Sequence, residues 1–204
     1  MELQHFVAKI HVAGELGIAP EKCVDVFHRW VAQQSMPELL VDVADLLHVP
    51  AGPGVVAVGH EADYALDHTD SRWGLLYRRK AVLDGSNADR MAQALQSATH
   101  AYRLLETEFP DKLEFSRTEF ELIVNDRLLA PNTTETYQEV EPEVTAFLEE
   151  LLGHEAFSLA RHDREPRARF GLTVKLDRPF DLVAMSDASN ALTQRSGEAT
   201  ARNP

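Results

Sequence analysis

The feature that most constrains this chain is a series of short segments in which apolar and polar residues alternate, most of them with no helix between. In the first, Phe6 to Ala13, the even-numbered positions are apolar. A period of two is typical of a β-strand that buries one face. Further strands are predicted at 39–49, 55–58, 73–80 and 112–126, the last with a bulge near 116–118, and as a pair within 157–176 around a charged turn at 163–167.

Helices are predicted from apolar stripes with helical spacing. The stripes begin or end at residues that cap or stop helices: Pro20, Ser86, Pro110, Pro131 and Gly153. Asp89 lies three residues after Ser86, which is the spacing of a capping box. Pro142 predicts that the last helix is broken or kinked. Cys23 belongs to the stripe of the first helix, so it is interpreted as a core residue.

The predicted order, β-α-β-β-β-α-β-α-β-β, indicates the fold class. Successive strands without helices favour an α+β domain over residues 1–185, with a mixed or antiparallel sheet and helices packed mainly on one face. The specific expectation is a ferredoxin-like sandwich. A doubly wound sheet would need stricter alternation of strands and helices. Residues 186–204 lack apolar content, which predicts a disordered C-terminal tail.

One predicted strand is apolar on both faces. Val55 to Val58 has no polar position, and such strands are typical of sheets covered on both sides. Because the helices would cover only one side, we expect a second copy of the chain to cover the other. The sequence therefore predicts a homodimer.

Charge and composition exclude several classes of function. The 204 residues carry a formal net charge of −13, which argues against sequence-independent binding of nucleic acid, since that depends on clustered lysine and arginine. The single cysteine excludes an intrachain disulfide and a cysteine-based zinc site. No apolar run approaches the ~20 residues that cross a bilayer, and no signal peptide is recognised. A cytoplasmic protein with no nucleic-acid or membrane partner is expected.

Residues His60 to Asp70 form the densest group of titratable side chains. As a strand, they would place Glu61, Asp63 and Asp67 on one face, opposite the basic residues 78–80 of a hairpin partner. As a helix, they would stack His60, Asp63, Tyr64 and Asp67 on one face, where His60, Asp63 and Asp67 could bind a divalent metal ion. Tyr64 breaks the zincin pattern H-E-x-x-H. The strand or irregular hairpin is the favoured interpretation.

A second candidate site lies on the strand face that the helices would not cover. Lys9 and His11 share that face and could contact an anionic ligand from one side, with Asp42 or His48 opposite on a neighbouring strand. The same residues could instead lie at a dimer interface or in solvent. The predicted ligand-binding set is Lys9, His11, Asp42, His48, His60 and Tyr64, and no catalytic residue is assigned.

Weaker motifs are interpreted as ordinary surface features. Gly52-Pro-Gly54 reads as a turn, because no G-K-[ST] follows it. Asn125-Asp-Arg127 also reads as a turn. A local basic patch at 161–169 is interrupted by Asp163 and Glu165. No G-x-S-x-G signature of a serine nucleophile is present.

Two functional hypotheses follow. The first is a non-catalytic module that binds a protein partner or a small anionic ligand and acts as a homodimer. The alternative is an enzyme that uses histidine and carboxylate groups around His60–Asp67, either with or without a divalent metal as its cofactor. Convergence of His11, His48 and His60 would favour the enzyme, and divergence would favour the binding module.

Overall fold

The computed structural model describes residues 1–153 and 156–179. Within them, one antiparallel sheet of eight strands packs against three helices. The strands are β1 (Phe6–Val12), β2 (Leu40–Leu46), β3 (Gly54–Gly59), β4 (Ala62–Asp67), β5 (Gly74–Arg79), β6 (Phe115–Val124), β7 (Phe157–Arg161) and β8 (Phe170–Leu176). The helices are α1 (Lys22–Gln33), α2 (Asn87–Glu108) and α3 (Thr134–Leu152). The strand order across the sheet is β2-β3-β4-β5-β1-β6-β8-β7.

The α+β class and the antiparallel sheet are confirmed, whereas the ferredoxin-like sandwich is not. The described part of the sheet has eight strands, one more than the predicted order contains. The additional strand is β4, which lies in the segment that the sequence left open between strand and helix. The predicted tail at 186–204 lies outside the described residues.

All three helices of the described chain pack on the same face of the sheet. Their buried residues form one apolar cluster with alternate strand residues, such as Ile10, Leu66 and Phe120. The capping box of Ser86 and Asp89 is present at the start of α2. Of the break or kink predicted at Pro142, the break is absent, since α3 runs through this residue from Thr134 to Leu152. Among the described residues, no helix has the length and apolarity needed to cross a bilayer.

The predicted bulge in β6 is also confirmed. The register between β1 and β6 shifts between the pairs Ile10–Phe120 and Val12–Phe115. The extra residues of β6 lie at 116–119, where the alternation of the sequence changes phase. Beyond them, Glu121 and Ile123 lie on the sheet face that carries no helix.

We call the sheet surface opposite the helices the open face. Apolar side chains of Val7, Val56, Ala65, Leu76 and Ile123 form a second buried cluster on it. The alternation within each strand therefore places residues on both faces of the sheet, and the apolar clusters on both faces are buried within one chain.

Two glycines give charged side chains room on the open face. A Cβ atom at Gly74 would lie 2.9 Å from Cε of Lys9, and one at Gly171 would lie 2.4 Å from Nδ1 of His162. Contacts this short do not occur in proteins, so any larger residue would displace these side chains. The glycines therefore allow Lys9 and His162 to lie flat against the sheet.

Candidate functional site

The open face contains a cavity of about 280 Å³, which we call the arginine pocket. Its polar lining consists of Asp63, Asp67, Thr69, Arg78, Asn125, Arg127 and Arg169. Apolar residues Val56, Ala65 and Leu76 also line it. A cavity of this size is at the lower end of the range that holds small-molecule ligands.

Strand pairing explains why residues far apart in sequence meet at this pocket. Val124 of β6 pairs with Phe170 of β8. The next residue outward on each side of that antiparallel pair is Asn125 and Arg169, so the two lie side by side. The turn at 125–127 and the basic segment at 161–169, which the sequence presented separately, therefore contribute to one cavity.

The two aspartates of the pocket are already paired with cations. Asp63 accepts hydrogen bonds from Arg78 and, at 2.7 Å, from Nζ of Lys80, as well as from the backbone N–H of Gly59. These partners hold the pKa of Asp63 below its usual value, although burial opposes them. Both aspartates are almost fully buried.

Asp67 is paired with Lys9 at 2.6 Å. The ammonium group of Lys9 also donates to the backbone oxygens of Thr69, at 3.2 Å, and Arg72, at 3.0 Å. All three of its N–H donors are therefore used within the chain. Lys9 fixes the shape of the pocket and has no donor left for a ligand.

Arg127 and Arg169 differ from these residues because their side chains have no hydrogen-bond or ion-pair partner among residues 1–153 and 156–179. Burial lowers the pKa of the Arg169 guanidinium. The negative charge of Asp67 opposes this effect, but the positive charges of Arg78, Arg164 and Arg127 reinforce it. The pocket therefore carries more positive charge than the carboxylates beside it neutralise.

The rim of the pocket is formed by a turn with unusual backbone angles. Asp70 and Ser71 both have positive φ, 63° and 58°, which is uncommon for residues other than glycine. Thr69, beside them, lines the pocket. Arg164 bonds Asp70 at 2.5 Å and so ties the segment after β7 to this turn. Backbone strain of this kind is frequent at binding sites.

Beside the pocket, His11 and His162 approach Glu121. Nε2 of His11 donates to Glu121 at 2.9 Å, and Nε2 of His162 lies 3.8 Å from the same carboxylate. Burial raises the pKa of Glu121, but the hydrogen bond from His11 and the charges of His162, His11 and Lys9 outweigh it and hold the value at about 2. Burial lowers the pKa of His162, and the charge of Glu121 only partly offsets this.

These shifts predict that acid destabilises the folded protein. Because both pKa values are lower in the folded chain, the unfolded chain binds more protons, and stability falls as pH drops below about 6.5 and further between 4.5 and about 2. The contribution of Glu121 is on the order of 3 kcal/mol. Urea unfolding measured across this range checks the prediction.

The variant Glu121→Gln isolates the contribution of the carboxylate to that pH dependence. We expect its stability to fall less steeply below pH 4.5 than that of the unmodified protein, since the group that titrates there is gone. Glu150→Gln, at an exposed position of α3, is the matched control and keeps the original slope. Identical slopes for the protein and Glu121→Gln would contradict the assignment.

The predicted ligand-binding residues do not form one group. Lys9 and His11 lie on the open face, as expected, but β2, which carries Asp42, is separated from β1 by β3, β4 and β5. At ~4.8 Å per strand spacing this separation is roughly 19 Å. Asp42 and His48 are therefore not opposite Lys9 and His11, and that expectation was wrong.

His60 and Tyr64 are also placed elsewhere. His60 is exposed in the turn between β3 and β4. Tyr64 points to the helix side of the sheet, where its hydroxyl donates to the buried carboxylate of Glu38. Burial and the charge of Glu38 raise the pKa of Tyr64. His11, His48 and His60 thus diverge.

The structure decides between the two interpretations of 60–70. Ala62–Asp67 is strand β4, and its hairpin partner β5 pairs Asp63 with Arg78, as the strand interpretation expects. Glu61 also meets Arg79 at 3.2 Å. The metal-ligating set of His60, Asp63 and Asp67 does not converge, and the described residues contain no group of three or more histidine, cysteine or acidic side chains placed to hold a metal ion.

The arginines of the pocket were the residues that sequence reasoning missed. Arg127 and Arg169 were each interpreted as part of an ordinary surface segment, because nothing in one dimension links them. A signal was nevertheless present, since Arg127 follows β6 closely and Arg169 directly precedes β8. Recognising it requires the pairing of β6 with β8.

Comparison with known proteins gave no match. Neither the protein-family models, nor the curated proteins, nor the solved structures compared with the chain resemble it significantly. The functional argument therefore rests on the geometry of the arginine pocket.

Proposed function

We propose that this protein is a non-catalytic module that binds a small anionic ligand in the arginine pocket. The observation that carries the proposal is the convergence of Arg127 and Arg169 with Arg78 on one cavity, with no acidic partner for the first two among the described residues. Arginine is the residue best suited to bind carboxylate or phosphate oxygens, since its planar donors form paired hydrogen bonds.

The negative net charge of the whole chain strengthens the argument from the unpaired arginines of the pocket. A protein with a net charge of −13 has many carboxylates available to pair with exposed arginines. Here the pocket aspartates are paired with Lys80 and Lys9, so they do not neutralise Arg127 and Arg169. An anion entering the pocket would relieve the repulsion between the guanidinium groups.

Binding of inorganic phosphate tests the proposal. We expect isothermal titration calorimetry to show one site per chain, and Arg169→Gln or Arg127→Gln to weaken binding at least about tenfold, the loss of one charge-assisted pair. The matched control is Arg167→Gln, because Arg167 is exposed in the same loop as Arg169 and does not line the pocket. Equal binding by Arg169→Gln and Arg167→Gln would contradict the proposal.

The enzyme alternative receives less support from the structure. Its criterion was the convergence of His11, His48 and His60, and these histidines diverge. His11 and His162 do flank Glu121, but the hydrogen bond from His11 and the low pKa of Glu121 describe an ionised carboxylate held in a fixed position. The proposal keeps the cytoplasmic location that the sequence analysis expects.

We also propose that the protein forms a homodimer, but through a different surface from the sheet face that the sequence analysis expected. The open face no longer requires a second copy, because its apolar cluster is buried within one chain. Exposed apolar side chains lie instead at β2, an edge strand of the described sheet: Val41 within it is 55% exposed, and Leu39 directly before it is 57% exposed. Unpaired edge strands can add a strand from another chain. We propose that two copies pair through β2.

Light scattering at micromolar concentration tests this dimer. We expect the unmodified protein to show twice the mass of one chain, and Val41→Lys to show the mass of one, because a charge at the edge opposes pairing. Leu128→Lys is the control, since Leu128 is 90% exposed but lies after β6, away from β2. A monomeric mass for the unmodified protein would contradict the proposal.

A further inference from the structure

We infer that the arginine pocket selects a phosphate monoester, a dianion with three terminal oxygens, over a monocarboxylate. This inference rests on the proposed function and specifies the class of ligand. It is carried by the hydrogen-bonding capacity of the pocket and by the charge that its own residues leave unbalanced.

The hydrogen-bond acceptors of the pocket are almost used up. Asp63 accepts from Gly59 and Lys80 at one oxygen and twice from Arg78 at the other. A carboxylate offers about four acceptor sites, so Asp63 is saturated. Asp67 accepts three hydrogen bonds, from Lys9 and from the backbone and side chain of Thr69.

The donors of the pocket, by contrast, are in excess. Each arginine carries five N–H donors. Those of Arg127 and Arg169 have no partner within the described ranges, and Arg78 uses only Nε and Nη2 on Asp63. The side-chain amide of Asn125 is likewise without a hydrogen bond in the described part of the chain. A donor-rich cavity of this kind fits a ligand that presents many acceptor oxygens.

The charge of the pocket also favours a phosphate monoester as the ligand. Arg78 and Lys80 share the single negative charge of Asp63, and Lys9 neutralises Asp67, so a net positive charge remains to which Arg127 and Arg169 contribute without a paired carboxylate. A monocarboxylate offers two oxygens and one charge, which would leave most of these donors and charges unmatched. A phosphate monoester offers three oxygens and a charge near −2 at neutral pH, and arginine binds such groups with paired hydrogen bonds.

Four small probes separate these possibilities: methyl phosphate, dimethyl phosphate, acetate and malonate. Methyl phosphate is a dianion above its second pKa near 6, whereas dimethyl phosphate stays a monoanion and keeps the tetrahedral shape. Binding is followed by NMR through the Nε–H signals of the arginines. Malonate, a dicarboxylate dianion, tests whether charge alone is sufficient.

We expect methyl phosphate at pH 7.5 to bind about tenfold or more tightly than dimethyl phosphate, acetate or malonate. Its affinity is expected to rise between about pH 5 and 7.5, while that of dimethyl phosphate stays flat. Arg169→Gln is expected to remove this preference, and Arg167→Gln to keep it.

Each other outcome overturns a defined part of the argument. Equal affinity for acetate and methyl phosphate, lost in Arg169→Gln, would overturn the phosphate class and leave the anion site standing. Tighter binding of malonate than of methyl phosphate would overturn it in the same way. If no probe binds at millimolar concentration, both the phosphate class and the anion site are overturned.

Discussion

Replacing Lys9 with methionine is expected to lower the free energy of unfolding by about 3–5 kcal/mol. Lys9 is 2% exposed and is bonded to Asp67, which is 3% exposed. The variant would leave the carboxylate of Asp67 buried with only Thr69 as its partner. A buried charge without its counter-ion is costly because the protein interior solvates it poorly.

A double variant separates loss of the ion pair from loss of packing. Lys9→Met combined with Asp67→Leu removes both charges, and we expect it to recover most of the stability lost in Lys9→Met. Lys112→Met, at an exposed position, is the control and is expected to change stability by less than about 0.5 kcal/mol. Chemical denaturation measures all three. A stable Lys9→Met protein would show that this pair does not hold the open face together.

Replacing Glu38 with alanine is expected to have a comparable effect, about 3–4 kcal/mol, on the helix side of the sheet. The buried carboxylate of Glu38 accepts from the hydroxyl of Tyr64, from that of Tyr77 at 2.9 Å, and from Nε2 of Gln93 at 3.0 Å. Arg79 also lies 3.8 Å from it. Removing the carboxylate would leave several buried donors without an acceptor.

Two milder variants test the same network. Glu38→Gln keeps one acceptor oxygen, so we expect it to cost less than Glu38→Ala, and Tyr77→Phe is expected to cost about 1.5–3 kcal/mol. The control is Glu149→Ala at an exposed position of α3. Thermal and urea unfolding measure each change. The network would be dispensable if Glu38→Ala unfolded at the same urea concentration as the unmodified protein.

Local chemistry predicted most of the individual elements. The alternation at Phe6–Ala13, the Ser86–Asp89 capping box and the phase change near 116–118 depend on residues close in sequence, and each appears in the structure. Pro142 is an instructive exception. It lies inside α3, where the packing of Val144, Phe147 and Leu148 against the core outweighs the loss of one hydrogen bond.

Strand order could not be predicted, and the candidate site depends on it. The sequence suggested that the second strand lies beside the first, but β3, β4 and β5 intervene, so Asp42 and His48 lie away from Lys9. The pairing of β6 with β8 likewise unites Asn125 with Arg169. Such pairings join residues far apart along the chain, and alternation within a strand does not specify its neighbours.

The Asp63–Arg78 pair shows what the pairing of two adjacent strands predicts and what it does not. A hairpin between two adjacent strands sets opposite charges face to face, and this was predicted from the sequence. The alternation did not indicate how deeply these charges lie, and in the structure Asp63 and Asp67 are buried. The cavity that they line also includes residues after β6 and before β8, which come from another part of the chain.

The most direct test of the anion site is a crystal structure of the protein soaked with selenate, a tetrahedral dianion whose position is revealed by anomalous scattering. The account predicts an anomalous peak in the arginine pocket, within hydrogen-bond distance of Arg127 and Arg169. The peak is expected to be absent in Arg169→Gln and present in Arg167→Gln. An empty pocket in crystals that hold selenate elsewhere would contradict the central claim.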